Sequence, residues 1–181
     1  MALLPVPTMR TFTVGEYETG AYFNANIRDA INFLLMLPIA TVYQTVAQSF
    51  GLSGSLNPIT FDSTAVDSYG GHSNTVNPSR YVAQVAGFYL VAGAIVFGAS
   101  TSGTYRKAQI YINGTAVAYA VAQLGQVSST SAATTVPISP AIVYMNVGDF
   151  VSLYGTADVA SLPTVANGSN QSYMTIIWMH A

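Results

Sequence analysis

The sequence predicts a mainly β protein, in which an antiparallel β-sandwich follows an extended N-terminal arm and one amphipathic helix. Three observations predict this fold class. Apolar residues recur at helical spacing only before Pro38. Beyond Pro38 they recur with period two, and β-branched and aromatic residues dominate between turn signals. The length of 181 residues is enough for one domain with an appended segment and short for two domains.

The arm and the helix occupy the first 38 residues. Pro5 and Pro7 indicate an extended arm over residues 1–19. Over residues 19–37 the apolar side chains are spaced by 4, 4 and 3 residues, which predicts one amphipathic helix. We name these apolar side chains the helical stripe: Phe23, Ile27, Ile31 and Leu34. A helix of this length is marginal alone, so the helical stripe should be buried against something.

The helix has two candidate starts and one stop. Thr19 is of a good N-cap type, and the earlier segment Thr13-Val14-Gly15-Glu16 has the spacing of a capping box. Pro38 ends the helix, because proline disfavours helical backbone at the residue before it. We therefore divide the chain into an arm and helix, residues 1–38, and a β-sandwich, residues 39–181.

The second part is predicted to contain nine strands. They cover residues 40–48, 59–62, 80–85, 88–97, 105–113, 115–124, 134–145, 149–155 and 173–180. Asn113-Gly114 is the strongest hairpin signal, because a two-residue turn that matches the twist of the strands needs positive φ at both central positions.

The strand over residues 88–97 is apolar on both faces. In an antiparallel sandwich one face of a strand fills the core and the other usually meets solvent. An outer face without polar residues suggests that a partner subunit or the N-terminal helix covers it. From this strand we predict four candidate residues for a subunit interface: Tyr89, Val91, Ile95 and Phe97.

The charge content points to assembly and away from nucleic acid. Only 7% of the residues are charged and 51% are hydrophobic. A free monomer of this composition would expose adhesive patches, whereas a symmetric oligomer hides them. The net charge of −2 supplies no basic surface for binding a phosphate backbone. Cysteine is absent, so stability must come from packing or assembly rather than from disulfides.

One segment is weighed as a membrane span and rejected. The 25 residues between Arg80 and Arg106 carry no charge. Their apolar centre is 14 residues long and contains three glycines, which is too short for a bilayer-spanning helix. We expect no membrane insertion.

The residue inventory argues against catalysis and against a bound cofactor. Asp62, Asp67 and His72 fall in one predicted loop and could bind a cation or exchange protons. Their spacing matches no metal-binding motif, so we interpret them as solvated loop residues. No nucleophile elbow and no phosphate-binding glycine loop is present in the sequence. We expect a protein that is not an enzyme and needs no cofactor or metal.

Four segments of the second part follow one another in a recognisable order and spacing: Ala86-Gly87-Phe88-Tyr89-Leu90-Val91, Ile110-Tyr111-Ile112-Asn113-Gly114, Gly148-Asp149-Phe150-Val151-Ser152-Leu153 and the final apolar strand over residues 174–178. In this order and spacing, residues 59–181 resemble the complement-type and tumour-necrosis-factor-like jelly roll. This resemblance implies a jelly-roll sandwich and a homotrimer packed around a threefold axis.

A second resemblance concerns the N-terminal part. The segment Ala21-Tyr22-Phe23-Asn24-Ala25-Asn26-Ile27-Arg28-Asp29-Ala30-Ile31-Asn32-Phe33-Leu34-Leu35, followed by Pro38, looks like the start of minor tail or fibre-type proteins of phages that infect actinobacteria. The combination implies a virion structural protein, most readily a tail fibre or tail-tip protein, with capsid decoration as the alternative. Its partners would be other copies of itself, phage tail or capsid proteins, and host-surface glycan.

Overall fold

The computed structural model describes residues 5–8, 10–17, 19–125, 130–167 and 170–181. The N-terminal helix runs through three consecutive segments: α1 (Gly20–Phe23), a π-helical turn (Asn24–Arg28) and α2 (Asp29–Leu35). Thr19 is its N-cap, with the side-chain oxygen accepting a hydrogen bond from the Tyr22 amide at 3.4 Å. The earlier Thr13–Glu16 segment forms a separate turn, in which the Glu16 amide donates to the Thr13 carbonyl.

The rest of the described chain is built from strands. They are β1 (Ile39–Tyr43), β2 (Asn57–Pro58), β3 (Ser63–Asp67), β4 (Tyr81–Val82), β5 (Gly87–Phe97), β6 (Tyr105–Ile112), β7 (Thr115–Gly125), β8 (Thr134–Met145), β9 (Phe150–Ala157), β10 (Ala166–Asn167), β11 (Asn170–Gln171) and β12 (Tyr173–His180).

Two antiparallel sheets face each other across one core. The front sheet has the order β3-β1-β12-β5-β8, and the back sheet has the order β2-β9-β6-β7, with β4 also paired to β9. Strand β12, which comes last in chain order, pairs with β1 on one side and β5 on the other and is therefore the central strand of the front sheet. The prediction of a mainly β antiparallel sandwich is confirmed.

The strongest turn signal is confirmed in the structure. Asn113 and Gly114 have φ values of 50° and 76° and connect β6 to β7. The predicted strand over residues 59–62 is wrong, because the strand in this part of the chain is β3. Ile59 and Phe61 are still buried, and their amides donate to the carbonyls of Leu153 and Pro78. The burial of alternate residues gives this segment the apolar alternation of a strand, although its backbone hydrogen bonds do not form one.

Gly87 begins β5 at a position that only glycine can occupy. Its φ is +146°, and a Cβ built there would lie 2.4 Å from the His180 carbonyl oxygen and 2.5 Å from Nε1 of Trp178. Trp178 in turn donates from Nε1 to the Ala86 carbonyl at 3.1 Å. The Ala86-Gly87 pair therefore allows a large indole to close the end of the core against β5.

Two buried tyrosines differ in whether the hydroxyl group is hydrogen-bonded, so the pair tests how much that bond contributes to stability. Tyr89 donates from its hydroxyl to the Val85 carbonyl at 2.5 Å, and burial raises its pKa to about 12. The Tyr81 hydroxyl has no hydrogen-bond partner in the described part of the chain, and burial raises its pKa well above the ordinary value. Tyr89→Phe should therefore cost ~1 kcal/mol of unfolding free energy, whereas Tyr81→Phe should cost nothing or add stability. Urea unfolding of both variants measures the difference, and an equal loss in both would contradict this assignment.

Candidate assembly surfaces

The helical stripe is exposed to solvent in the single chain. Phe23, Ile27, Ile31 and Leu34 keep 44–66% of their surface accessible. Burial of such side chains stabilises by ~1.5–3 kcal/mol each, so an exposed row of them on one helix is an unused packing surface. The structure places all four predicted residues on the N-terminal helix, where they are available to pack against another protein surface.

Phe33, which the periodicity did not single out, attaches the helix to the sandwich. Its side chain is 1% exposed and meets Trp178 edge-to-face, with ring centroids 5.0 Å apart. The π-helical turn before it adds a residue to one helical turn, which rotates the following residues about the helix axis. Within α2, Phe33 follows Ile31 by two residues and therefore lies on roughly the opposite side of the helix from the end of the helical stripe.

The prediction that four residues of β5 form a subunit interface is wrong. Tyr89, Val91, Ile95 and Phe97 are each 0% exposed and belong to the core between the sheets. Both faces of β5 are apolar, so the sequence could not show which face points inward. The structure assigns the opposite face, which carries Phe88, Leu90 and Ala92, to the outside of the sandwich.

This outer face belongs to a continuous apolar row across four strands of the front sheet. The backbone register places Ile39 of β1 opposite Ile177 of β12, Ile177 opposite Leu90 of β5, and Leu90 opposite Ile142 of β8. Ile142 is 55% exposed and Ile39 is 37% exposed, and the two residues between them are half-buried. We call the outward side of the front sheet, centred on this row, the front face.

An aromatic row borders the first one. Phe88 lies opposite Tyr144 and His180, with ring centroids 5.2 Å and 4.9 Å away. The five described strands of the front sheet contain a single Asp, Glu, Lys or Arg, which is Asp67 at the end of β3. An exposed sheet face that is this poor in charge is typical of a buried subunit contact.

The loop residues considered for a cation site have separate structural roles. Asp62 accepts two hydrogen bonds of 2.6 Å from the amide and hydroxyl of Thr45. Asp67 accepts from the backbone amides of Tyr69, Gly71 and His72 at 2.8–3.3 Å. Both carboxylates therefore hold loop backbone in place instead of lying free in solvent.

The described residues contain no group of three His, Cys, Asp or Glu side chains arranged to hold a metal ion. In the same part of the chain, no helix combines the length and hydropathy that crossing a bilayer requires. The uncharged segment before Arg106 contains strand β5.

The lowered pKa values of three aspartate carboxyl groups predict that the folded protein loses stability in acid. Hydrogen bonds from Thr104 lower the pKa of Asp158, and those from Asn113 and Asn146 lower that of Asp149. At Asp62 burial raises the pKa, but the hydrogen bonds to its carboxylate, led by those from Thr45, together lower it further. A lowered pKa in the folded state gives stability that is present above the ordinary aspartate value of 3.8 and is lost as the pH falls below it.

The thermal midpoint should therefore decrease on acidification below about pH 4, which calorimetry at a series of pH values measures. The Asp62→Asn/Asp149→Asn/Asp158→Asn variant serves as control and should show a flatter profile. An identical acid dependence in that variant would contradict the assignment.

No protein-family model matches the chain, and no curated protein matches it in sequence. Solved structures do match it. The globular domain of the zebrafish complement 1qA protein superposes with a TM-score of 0.57 at 12% identity, over 79% of this chain and 98% of that domain. The fold is the complement/TNF-like jelly roll.

Two further structures carry the same complement/TNF-like jelly roll. Murine APRIL matches with a TM-score of 0.53 at 11% identity, over 78% of this chain and 98% of its own. The TNF protein Eiger from S. frugiperda matches with a TM-score of 0.57 at 10% identity, over 79% and 92%. At identities this low, the structural similarity shows the fold and not the function. The function must therefore be argued from the surfaces of this chain.

Proposed function

We propose that this chain is a non-enzymatic structural subunit of a tailed-phage virion, assembled as a homotrimer through its front face. The observation that carries the proposal is the apolar row from Ile39 to Ile142, which crosses four strands without a charge. In a closed assembly this row is removed from water, whereas in a monomer it remains an exposed adhesive patch. The complement/TNF-like fold supports this mode of packing.

The N-terminal helix is the attachment element in this proposal. Phe33 anchors the helix to the sandwich, and the exposed helical stripe remains free to pack on another virion protein. The resemblance of residues 21–35 to minor tail proteins of actinobacteria-infecting phages favours a tail fibre or tail-tip position. Capsid decoration is the alternative, since the same surfaces would serve a protein that docks on the head. The protein would be made in the host cytoplasm and would reside in the virion, where it contacts host-surface glycan.

Light scattering of the purified chain at micromolar concentration tests the assembly, with a trimer mass as the expected result. A stable monomer would overturn it. Quantification of the protein against the major capsid protein in purified virions tests the position. A few copies per particle support a tail location, and hundreds support capsid decoration instead.

A further inference from the structure

The loop between β3 and β4 forms an open cavity of mixed polar and apolar lining at the edge of the back sheet. Its volume is about 220 Å³. The lining residues are Gly70, Gly71, His72, Ser73, Val76, Asn77, Arg80, Val82 and Gln84. Drug-sized molecules occupy clefts of about 300–1,000 Å³, so this cavity suits a smaller ligand, about the size of one sugar unit.

Arg80 gives the cavity an uncompensated positive charge. In the described part of the chain, Arg10, Arg28 and Arg106 each form an ion pair with a carboxylate, and Arg80 forms none. Its guanidinium lies 5.0 Å from the ring centroid of Phe150. This cation–π contact holds the side chain in place and leaves its N–H donors free for a ligand.

The acidic group closest in sequence to the cavity is bound to the backbone of the lining loop. The carboxylate of Asp67 accepts hydrogen bonds from the backbone amides of Tyr69, Gly71 and His72. The His72 ring lies between two carbonyl oxygens, with Nδ1 2.9 Å from that of Arg80 and Nε2 2.9 Å from that of Phe61. The described lining residues themselves include no Asp or Glu, and the Asp67 carboxylate behind them is bonded to three backbone amides, so Arg80 carries the formal charge of the lining.

The remaining polar groups suit a hydroxylated ligand. Asn77 and Gln84 contribute side-chain amides, each with donor and acceptor atoms. One of the two Gln84 donors is used by the Val82 carbonyl at 3.2 Å. A single guanidinium matches a monoanion, and its planar fork matches a carboxylate.

We propose that this cavity binds the carboxylate-bearing unit of an acidic polysaccharide, with Arg80 holding the carboxylate and Asn77 and Gln84 holding sugar hydroxyls. The inference deepens the host-surface contact in the proposed function and rests on it for its biological role. The lining comes from the loop after β3 and from β4 of the back sheet, and it includes no residue of the front-face row. Three copies would then present three weak sites, which gain strength by linkage.

Isothermal titration of the full chain with sodium D-glucuronate tests the cavity, and D-glucose is the neutral control. We expect one site per chain and at least about tenfold weaker binding of glucose. Arg80→Gln, which keeps the apolar stem, should weaken glucuronate binding by about tenfold or more, and Arg80→Lys should retain more of it. Asn77→Gly removes an amide at a backbone φ of 50° that glycine accepts, and should also weaken binding.

Absence of saturable glucuronate binding, or unchanged binding by Arg80→Gln, would overturn the proposal. Tighter binding of glycerol 3-phosphate than of glucuronate would overturn the assignment to a carboxylate. Thermal unfolding and light scattering of each variant show whether fold and assembly are intact. A trimer without glucuronate binding contradicts the cavity alone, and a monomer that binds it contradicts the assembly alone.

Discussion

Replacing Ile177 by aspartate should convert the proposed trimer into a folded monomer. Ile177 is the centre of the apolar row, with Ile39 on one side and Leu90 on the other. An unpaired carboxylate buried in a subunit contact costs ~3–5 kcal/mol per chain. We expect this cost to exceed the free energy by which the contact stabilises the trimer.

The fold itself should survive this change, because the Ile177 side chain lies on the outside of the sandwich and not in its core. Light scattering measures the mass, and near-ultraviolet circular dichroism reports on the packing around Trp178. Val121→Asp on β7 is the matched control, since Val121 is a 40% exposed β-branched residue of the back sheet. If Ile177→Asp unfolds, Leu90→Asp repeats the test one strand away. A trimer in both front-face variants would rule out the front face as the contact.

Under the proposed function, Ile27→Asp should leave the β-sandwich and the proposed trimer intact and prevent incorporation into virions. Ile27 is central in the helical stripe and is 44% exposed, so no core contact of the single chain depends on it. In a packed contact with another virion protein, the new carboxylate would be buried without a partner, at a cost of several kcal/mol, ~3–5 by comparison with broken buried ion pairs. This cost corresponds to a loss of more than about a hundredfold in affinity for the attachment site.

Complementation of a phage lacking the gene, followed by quantification of the protein in purified particles, measures incorporation. Val147→Asp is the control, because Val147 is 66% exposed and lies outside the N-terminal helix. Normal amounts of Ile27→Asp in virions would show that the helix is not the attachment element. A comparable loss with Val147→Asp would point to a general effect of added charge.

Period-two apolar patterns and turn residues were sufficient to predict most of the sandwich. The strands over residues 88–97, 105–113, 115–124, 134–145 and 173–180 correspond closely to β5, β6, β7, β8 and β12. The Asn113-Gly114 turn was predictable from local chemistry alone, because two consecutive residues with positive φ restrict the residue types. The cavity at Arg80 was not predictable, since its walls come together only when the loop after β3 folds against β4.

The sequence by itself determined the fold class, the position of the N-terminal helix and the existence of an apolar surface larger than one core can use. The tertiary structure decided which side of β5 that surface is. A strand that is apolar on both faces carries no signal for orientation, because either set of side chains could fill the core. Pairing with β12 and β8 turned Tyr89 and Val91 inward and left Leu90 in the outward row. Likewise, the tertiary structure decided that Phe33, and not the helical stripe, packs on the sandwich. Phe33 follows Ile31 by two residues in α2, about 200° around the helix, so the helix carries apolar side chains on two sides and only the contact with Trp178 shows which side is buried.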